Sequence, residues 1–270
     1  SSCKLAMTDL QRPYNEFVKE HYRRGYFTGD PSLSAYVDYE HDRPFIRKNF
    51  TKYFNKIKTW QPSGKLLDVG CALGFGVEMA LSLGYDAYGF DPSSYATERA
   101  KAIVSDKRIK NGTIDKVTYS PNSFDVITML DVFEHLANPK KDLRKLKHLL
   151  AKDGILVIAT GDTESYLAKL LKRRWTFYIP PQHLFFFSKH TLSTLLHQVG
   201  FEPLEWFRID KWLSARYVFH LARTSAQSKI AELLYPVLNK TALGRVPLYV
   251  PVRDNMVVIA RKKNESKSMV

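Results

Sequence analysis

The chain has 270 residues, 44% of them hydrophobic and 25% charged. That composition excludes a disordered or fibrous protein and gives room for one α/β unit with appended helices. Forty-one Lys and Arg against 27 Asp and Glu give a formal charge of +14, which favours anionic partners and says nothing about fold.

Two cysteines, Cys3 and Cys71, exclude a disulfide framework and a thiolate zinc site. No apolar run reaches the roughly 18 residues of a membrane-spanning helix. The opening SSCKLAMTDL has no apolar signal-peptide core. A reducing cytoplasm is the expected location.

The first 30 or so residues predict a helix followed by a turn at Gly29-Asp30-Pro31. Over Arg43–Trp60, the spacing of Phe45, Ile46, Phe50, Tyr53, Phe54 and Ile57 is helical. From Lys65, short apolar runs alternate with helical stretches. Strands are expected at LLDVG (66–70), DAYGFD (86–91), Ile109–Asn111, FDVITML (124–130) and GILVIAT (154–160). Helices are expected at Phe75–Leu83, Ser94–Ile103 and Pro139–Leu150. This alternation predicts a parallel sheet covered on both faces. Residues 167–175, LAKLLKRRW, are basic and amphipathic. A proline-containing loop follows, then a helix over Thr191–Val199 ending at Gly200. FEPLEWFRI (201–209) and NMVVIARK (255–262) read as two more strands, with mostly helical periodicity over 211–250.

The first expected strand runs into LLDVGCALGFG, a tight turn that opens a helix. A dinucleotide fingerprint needs Gly-x-Gly-x-x-Gly. From Gly70 those positions hold Gly70, Ala72 and Phe75, and the bulky Phe75 disfavours pyrophosphate. Asp91 ends the second strand 17 residues after Gly74, where a carboxylate can accept from two ribose hydroxyls. It can also cap the helix starting near Ser94.

Asp-x-Gly-x-Ala-x-Gly at 68–74, the spaced Asp91, FDVITMLDVFEHL and DGILVIAT together resemble the class I S-adenosylmethionine-dependent methyltransferases. The EHL segment followed by a proline, with PPQHLFFFS later, is similar to subgroups acting on small molecules and glycans, ubiquinone-pathway O-methyltransferases among them. The resemblance implies a Rossmann-like, doubly wound α/β sheet of seven strands, six parallel and one antiparallel at the edge. It implies an N-terminal helical cap over 1–60 and a core over 61–210. A helical insertion over 211–250 and a last strand with polar tail over 251–270 complete the expectation. The cofactor implied is S-adenosyl-L-methionine, its ribose and methionine portions cradled by Asp68, Gly70, Cys71, Ala72 and Gly74. Asp91 and Pro92 would meet the ribose. Thr113 and Ile114 would flank the adenine, and Met129 and Leu130 would lie against the base or the amino-acid end. Thr113 and Ala72 stand where the family often has Asp and Gly.

Methyl transfer from a sulfonium needs alignment, and a hydroxyl acceptor also benefits from a general base. His183 and His135 are the expected catalytic residues, His183 preferred as the base. Tyr22, Tyr26 and Tyr36, in a segment resembling the family's N-terminal cap, are candidates to touch cofactor or acceptor. Asp131, Glu134 and His135, with His183, also resemble a Glu-x-x-Glu-His metal set that suits Mg, Mn or Fe. The shorter Asp131 and metal-free relatives with the same EH pair favour a site without metal.

The expected partner is a small-molecule or glycan acceptor, facing cap aromatics such as Trp175, Phe177, Tyr178, Phe185 and Phe186. RNA is the alternative, motivated by the +14 charge and KRRW at 172–175. A third reading is peripheral membrane contact through the basic stretches 140–152 and 216–238. A fourth is a fold that binds the cofactor without turnover.

Overall fold

A computed structural model describes residues 5–30, 33, 36–224, 227–251 and 253–263. Cys3, Pro31 and the tail from residue 264 lie outside them. The central strands are β1 (Lys65–Val69), β2 (Asp86–Asp91), β3 (Ile109–Asn111), β4 (Phe124–Leu130), β5 (Leu150–Gly161), β6 (Phe201–Arg208) and β7 (Asn255–Lys262). They form one seven-stranded sheet in the order β3-β2-β1-β4-β5-β7-β6. β1 pairs in parallel with β2 on one side and β4 on the other. The order therefore reverses at β1, and the crevice above the carboxyl ends of β1 and β4 is where such sheets take ligands. β7 is the single antiparallel strand. It lies one place in from the edge, with β6 outermost.

Period-two alternation divides the core between the two faces. Leu67, Val69, Ile127, Met129, Leu156, Ile158, Met256 and Val258 point to one face. Leu66, Val126, Ile155, Val157, Val257 and Ile259 point to the other. The helices are α1 (Tyr14–His21), α2 (Arg24–Thr28), α3 (Arg43–Trp60), α4 (Phe75–Ser82), α5 (Ser94–Val104), α6 (Pro139–Leu149), α7 (Tyr166–Leu171), α8 (Lys189–Val199), α9 (Ala215–Thr224) and α10 (Lys229–Lys240). α6 and α8 cover the first face through Leu143, Leu146, Leu192 and Leu196. α3 and α4 cover the second through Tyr53, Phe54, Ile57 and Val77. These side chains are at most 3% exposed, so truncating one of the leucines to Ala costs about 2–5 kcal/mol.

Capping chemistry fixes several helix starts. Ser93 accepts from the Ala96 amide, Asn138 from that of Lys141, and Ser188 and Thr191 form a reciprocal capping box. Asp153-Gly154, expected to separate α6 from β5, sits inside β5, which begins at Leu150. The N-terminal helix is two short ones separated at Tyr22 and Arg23. Residues 211–250 are not wholly helical: Lys211–Ser214 and Pro247–Val250 pair as an antiparallel ribbon at the base of α9 and α10. A second ribbon joins Ala6–Met7 to Phe185–Phe186, tying the N-terminus to the loop that carries His183.

Candidate active site

The turn after β1 places three residues in the left-handed region: Gly70 at φ 69°, Ala72 at 46° and Gly74 at 82°. A Cβ on Gly70 would stand 2.6 Å from Val132, and one on Gly74 would stand 2.9 Å from Ala100. Ala72 adopts the same conformation with a Cβ, which explains why glycine suits this position. The Gly70 and Cys71 amides donate to the Phe90 carbonyl, so the turn is laced to the end of β2.

Asp91 accepts from the Ala72 amide at 2.9 Å on one oxygen and from the Ser93 amide at 2.9 Å on the other. Each oxygen keeps a further lone pair for a hydroxyl donor. α5 is capped by Ser93, not Asp91. Burial pushes the Asp91 carboxyl up to about 6 against those two amides. Asp68 accepts from the Thr128 hydroxyl at 2.7 Å, and burial raises it to about 7. Phe75 is 1% exposed and stacks on Tyr39 with ring centres 5.6 Å apart. It turns the first residue of α4 onto the N-terminal segment.

The other expected cradle residues divide. Pro92 and Leu130 are half-buried at strand ends. Cys71, Ile114 and Met129 are core side chains, 4%, 6% and 0% exposed. Only their backbone is free to face a ligand. Thr113 donates its hydroxyl to the Asp115 carboxylate two residues on.

Beyond β4 the chain makes a short 3-10 turn over Phe133–His135. Val132 lies against Gly70, so this turn adjoins the β1 loop. The Leu184 amide donates to the Glu134 carbonyl at 2.8 Å, drawing the His183 loop over the same turn. The rings of His135 and His183 then lie 4.6 Å apart. His135 Nδ1 is 2.9 Å from the Gln182 carbonyl, and His183 Nδ1 is 2.6 Å from that of Phe177. Carbonyls only accept, so both Nδ1 atoms carry protons and both Nε2 atoms present lone pairs. Those Nε2 atoms lie 3.9 and 4.0 Å from Oε1 of Glu134.

Glu134 is 0% exposed. Its Oε2 accepts from the Thr160 hydroxyl at 2.8 Å, while Oε1 has no hydrogen-bond partner. Burial, with the charge of Asp131, raises this carboxyl to about 8. Burial lowers His135 to about 4 and drives His183 well below its ordinary value. An orphaned buried carboxylate oxygen facing two neutral imidazole lone pairs fits a divalent cation. Asp131 does not join them: it is bonded to Asn255 and, at 3.3 Å, to Lys211.

Tyr22 bridges the two halves. Its hydroxyl is 3.0 Å from His135 Nδ1. Burial raises the Tyr22 and Tyr26 phenols, then neighbouring tyrosines, then the charges of Asp91 and Glu134. Tyr26 accepts from the Gln182 amide at 3.0 Å.

A family model described as a methyltransferase domain matches residues 39–205. The chain belongs to the methyltransferase-domain family. It is an S-adenosylmethionine-dependent methyltransferase, with S-adenosyl-L-methionine as its cofactor. A ubiquinone biosynthesis O-methyltransferase of Cereibacter sphaeroides is 27% identical over 176 residues, covering 57% of this chain and 71% of that protein. The mitochondrial ubiquinone biosynthesis O-methyltransferase of Schizosaccharomyces pombe is 34% identical over 113 residues, 40% of this chain and 41% of its own. A crystal structure of an S-adenosylmethionine-dependent methyltransferase from Archaeoglobus fulgidus matches with a TM-score of 0.57 at 18% identity. It covers 88% of this chain and 99% of the other, a likeness of fold.

Within this methyltransferase, sequence reasoning undervalued Glu134, Gln182 and Thr160. Glu134 carried a signal in the EH pair. Gln182 and Thr160 carried none, because their role exists only once distant loops meet. Trp175 is 3% exposed and donates to Asp254 at 2.9 Å, and Phe186 is 5% exposed. Neither is free to stack on an acceptor. Phe177, with its ring 4.3 Å from that of His183, remains beside the site. Among the described residues, no helix is long and apolar enough to cross a membrane.

Proposed function

We propose that this methyltransferase methylates a hydroxyl of a small molecule. Asp68, Gly70, Cys71, Ala72, Gly74, Asp91, Pro92, Thr113, Ile114, Met129 and Leu130 line the cofactor. In this reading the acceptor meets Glu134, His135 and His183. Residues 1–60 and 211–250 serve as caps on a core over 61–210, completed by the last strand and polar tail of 251–270, in a reducing cytoplasm that keeps the buried Cys71 free. The observation that carries the reading is the open Oε1 of Glu134 facing two imidazole lone pairs beside the β1 loop. The relatives named as O-methyltransferases support an oxygen acceptor.

The acceptor oxygen forms its bond to the methyl carbon and gives up its proton to solvent. The sulfur keeps the electron pair of the bond that breaks, leaving S-adenosylhomocysteine. Holding donor and acceptor in line is the main task. The Phe177 and Gln182 carbonyls fix both tautomers, and burial keeps both imidazoles neutral at pH 7. An imidazole held that low is a weak general base at neutral pH. We therefore assign His135 and His183 to ligation beside Glu134, in place of the metal-free base expected for His183. A divalent cation bound there would lower the pKa of an acceptor hydroxyl.

The test is metal content and turnover on one preparation. Chelator treatment should abolish methyl transfer, and Mg or Mn should restore it, while S-adenosylhomocysteine binding persists throughout. Full turnover in verified metal-free protein would return the histidines to a general-base role.

A further inference from the structure

α10 has two apolar faces, and only one of them is covered. Ala231 and Tyr235, one turn apart, pack on α9. Ala231 is 2% exposed, and the Tyr235 ring meets that of His220 at 5.8 Å beneath the Arg223 guanidinium. Ile230, Leu233, Leu234 and Val237 follow the spacing i, i+3, i+4, i+7, so they share a second face. They are 71%, 76%, 41% and 53% exposed. Single apolar residues on a surface are ordinary, but four along one helix face make a stripe. The turn over Ala242–Arg245 follows α10, and there Leu243 and Val246 are 60% and 45% exposed.

The charges beside the stripe are positive. At 3.6 residues per turn, Lys229 and Lys240 both fall within about 40° of Leu233, at the edge of the stripe. Lys229, Lys240 and Arg245 are exposed, and none is ion-paired among the described residues. Glu232, the one acid of α10, is turned away from the stripe, 3.9 Å from Arg223 of α9. These charges oppose a second copy as the cover. In a two-fold antiparallel pairing of α10 with itself, Lys229 of one copy meets Lys240 of the other, and each chain carries a formal charge of +14. An apolar stripe edged by lysines matches the boundary between acyl chains and anionic headgroups instead. Lysine stems lie along the apolar layer there while their ammonium groups reach phosphate.

We propose that α10 is a peripheral docking helix for an anionic lipid bilayer. Ile230, Leu233, Leu234 and Val237 enter the interface, and Lys229, Lys240 and Arg245 meet the headgroups. At 12 residues the helix lies in the interface and does not cross it. The inference goes beyond the proposed methylation and holds whichever hydroxyl is the acceptor.

The test is co-sedimentation of the whole chain with vesicles of phosphatidylcholine alone, and of equal parts phosphatidylcholine and phosphatidylglycerol. Binding should favour the anionic vesicles and weaken as salt rises. The double variant Leu233→Gln, Val237→Gln should lower partitioning about tenfold or more. Lys229→Gln with Lys240→Gln should lower it about tenfold. All four side chains are exposed, so Tm and S-adenosylhomocysteine affinity should match the wild type in both variants, which separates lost docking from lost folding. No binding to the anionic vesicles, equal binding to both kinds, or binding that neither double variant weakens would overturn the proposal. Sedimentation velocity without lipid reads the competing occupant. A monomer is expected, and a dimer dissolved by Leu233→Gln, Val237→Gln would give the stripe to a second copy and overturn the lipid assignment.

Discussion

The loop after β1 and the turn after β4 stand side by side at the same end of the sheet, yet they differ in how their polar groups are used. Around the first, Asp91 and Asp68 are already bonded and the backbone is locked by left-handed turns. Around the second, Glu134 keeps an open oxygen and two imidazoles keep open lone pairs. A cradle can be finished before its ligand arrives, because binding needs only spare lone pairs. A site that ligates or activates must hold its valences open, and burial makes that costly. The contrast implies that binding and turnover fail separately.

The largest break should come from the open half. His183→Ala should lower kcat about 100- to 1000-fold, with S-adenosylhomocysteine affinity nearly unchanged by calorimetry. A matching loss of cofactor affinity would merge the two halves. Asp91→Ala should do the reverse, weakening S-adenosylhomocysteine about 10- to 100-fold through lost charge-assisted bonds while kcat at saturating cofactor survives. The same carboxyl gives a pH signature. Its value of about 6 without ligand means it is protonated below that pH, and a protonated oxygen is a poorer acceptor for ribose hydroxyls. Affinity should therefore fall as pH drops through 6 and be flat over that window in Asp91→Asn.

Two backbone changes sharpen the picture of a preformed loop. Gly70→Ala combines a left-handed φ with the approach of Val132. It should destabilise the fold by about 2 kcal/mol and lower Tm by about 5 °C. Ala72→Gly should be the smallest effect. Removing a left-handed alanine gains slightly more than the added chain entropy costs, for a net stabilisation of about 0.5 kcal/mol. A loss of stability there would mean the Ala72 methyl matters to packing.

The same contrast explains what the sequence could reveal. The strands from β1 to β5 and the Asp91 position were legible because alternation, turn glycines and a fixed spacing are local signals. The β5 start was missed because Asp153-Gly154 reads as a break, whereas the strand begins at Leu150, paired with Phe124, and crosses an irregularity before Ile155 pairs with Val126. The open half depends on residues brought from 22, 134–135, 160 and 182–183. Its tautomers are set by carbonyls of Phe177 and Gln182, which no side-chain pattern announces. Burial also bears on the expected base: it holds both imidazoles below their ordinary range and raises Glu134 to about 8, which is the ground for proposing ligation in place of a general base. The ribbon under α9 and α10 was hidden for a different reason, since Lys211–Ser214 and Pro247–Val250 are short strands that exist only by pairing with each other.

Glu134→Gln removes the carboxylate that a bound cation would draw out at the open oxygen, while keeping the side chain's size and an acceptor for Thr160. Methyl-transfer turnover and S-adenosylhomocysteine affinity should be measured on this one variant. Turnover reduced about 1000-fold with cofactor affinity unchanged is the expected result. Turnover like that of the wild type would contradict an acceptor site built on Glu134, His135 and His183.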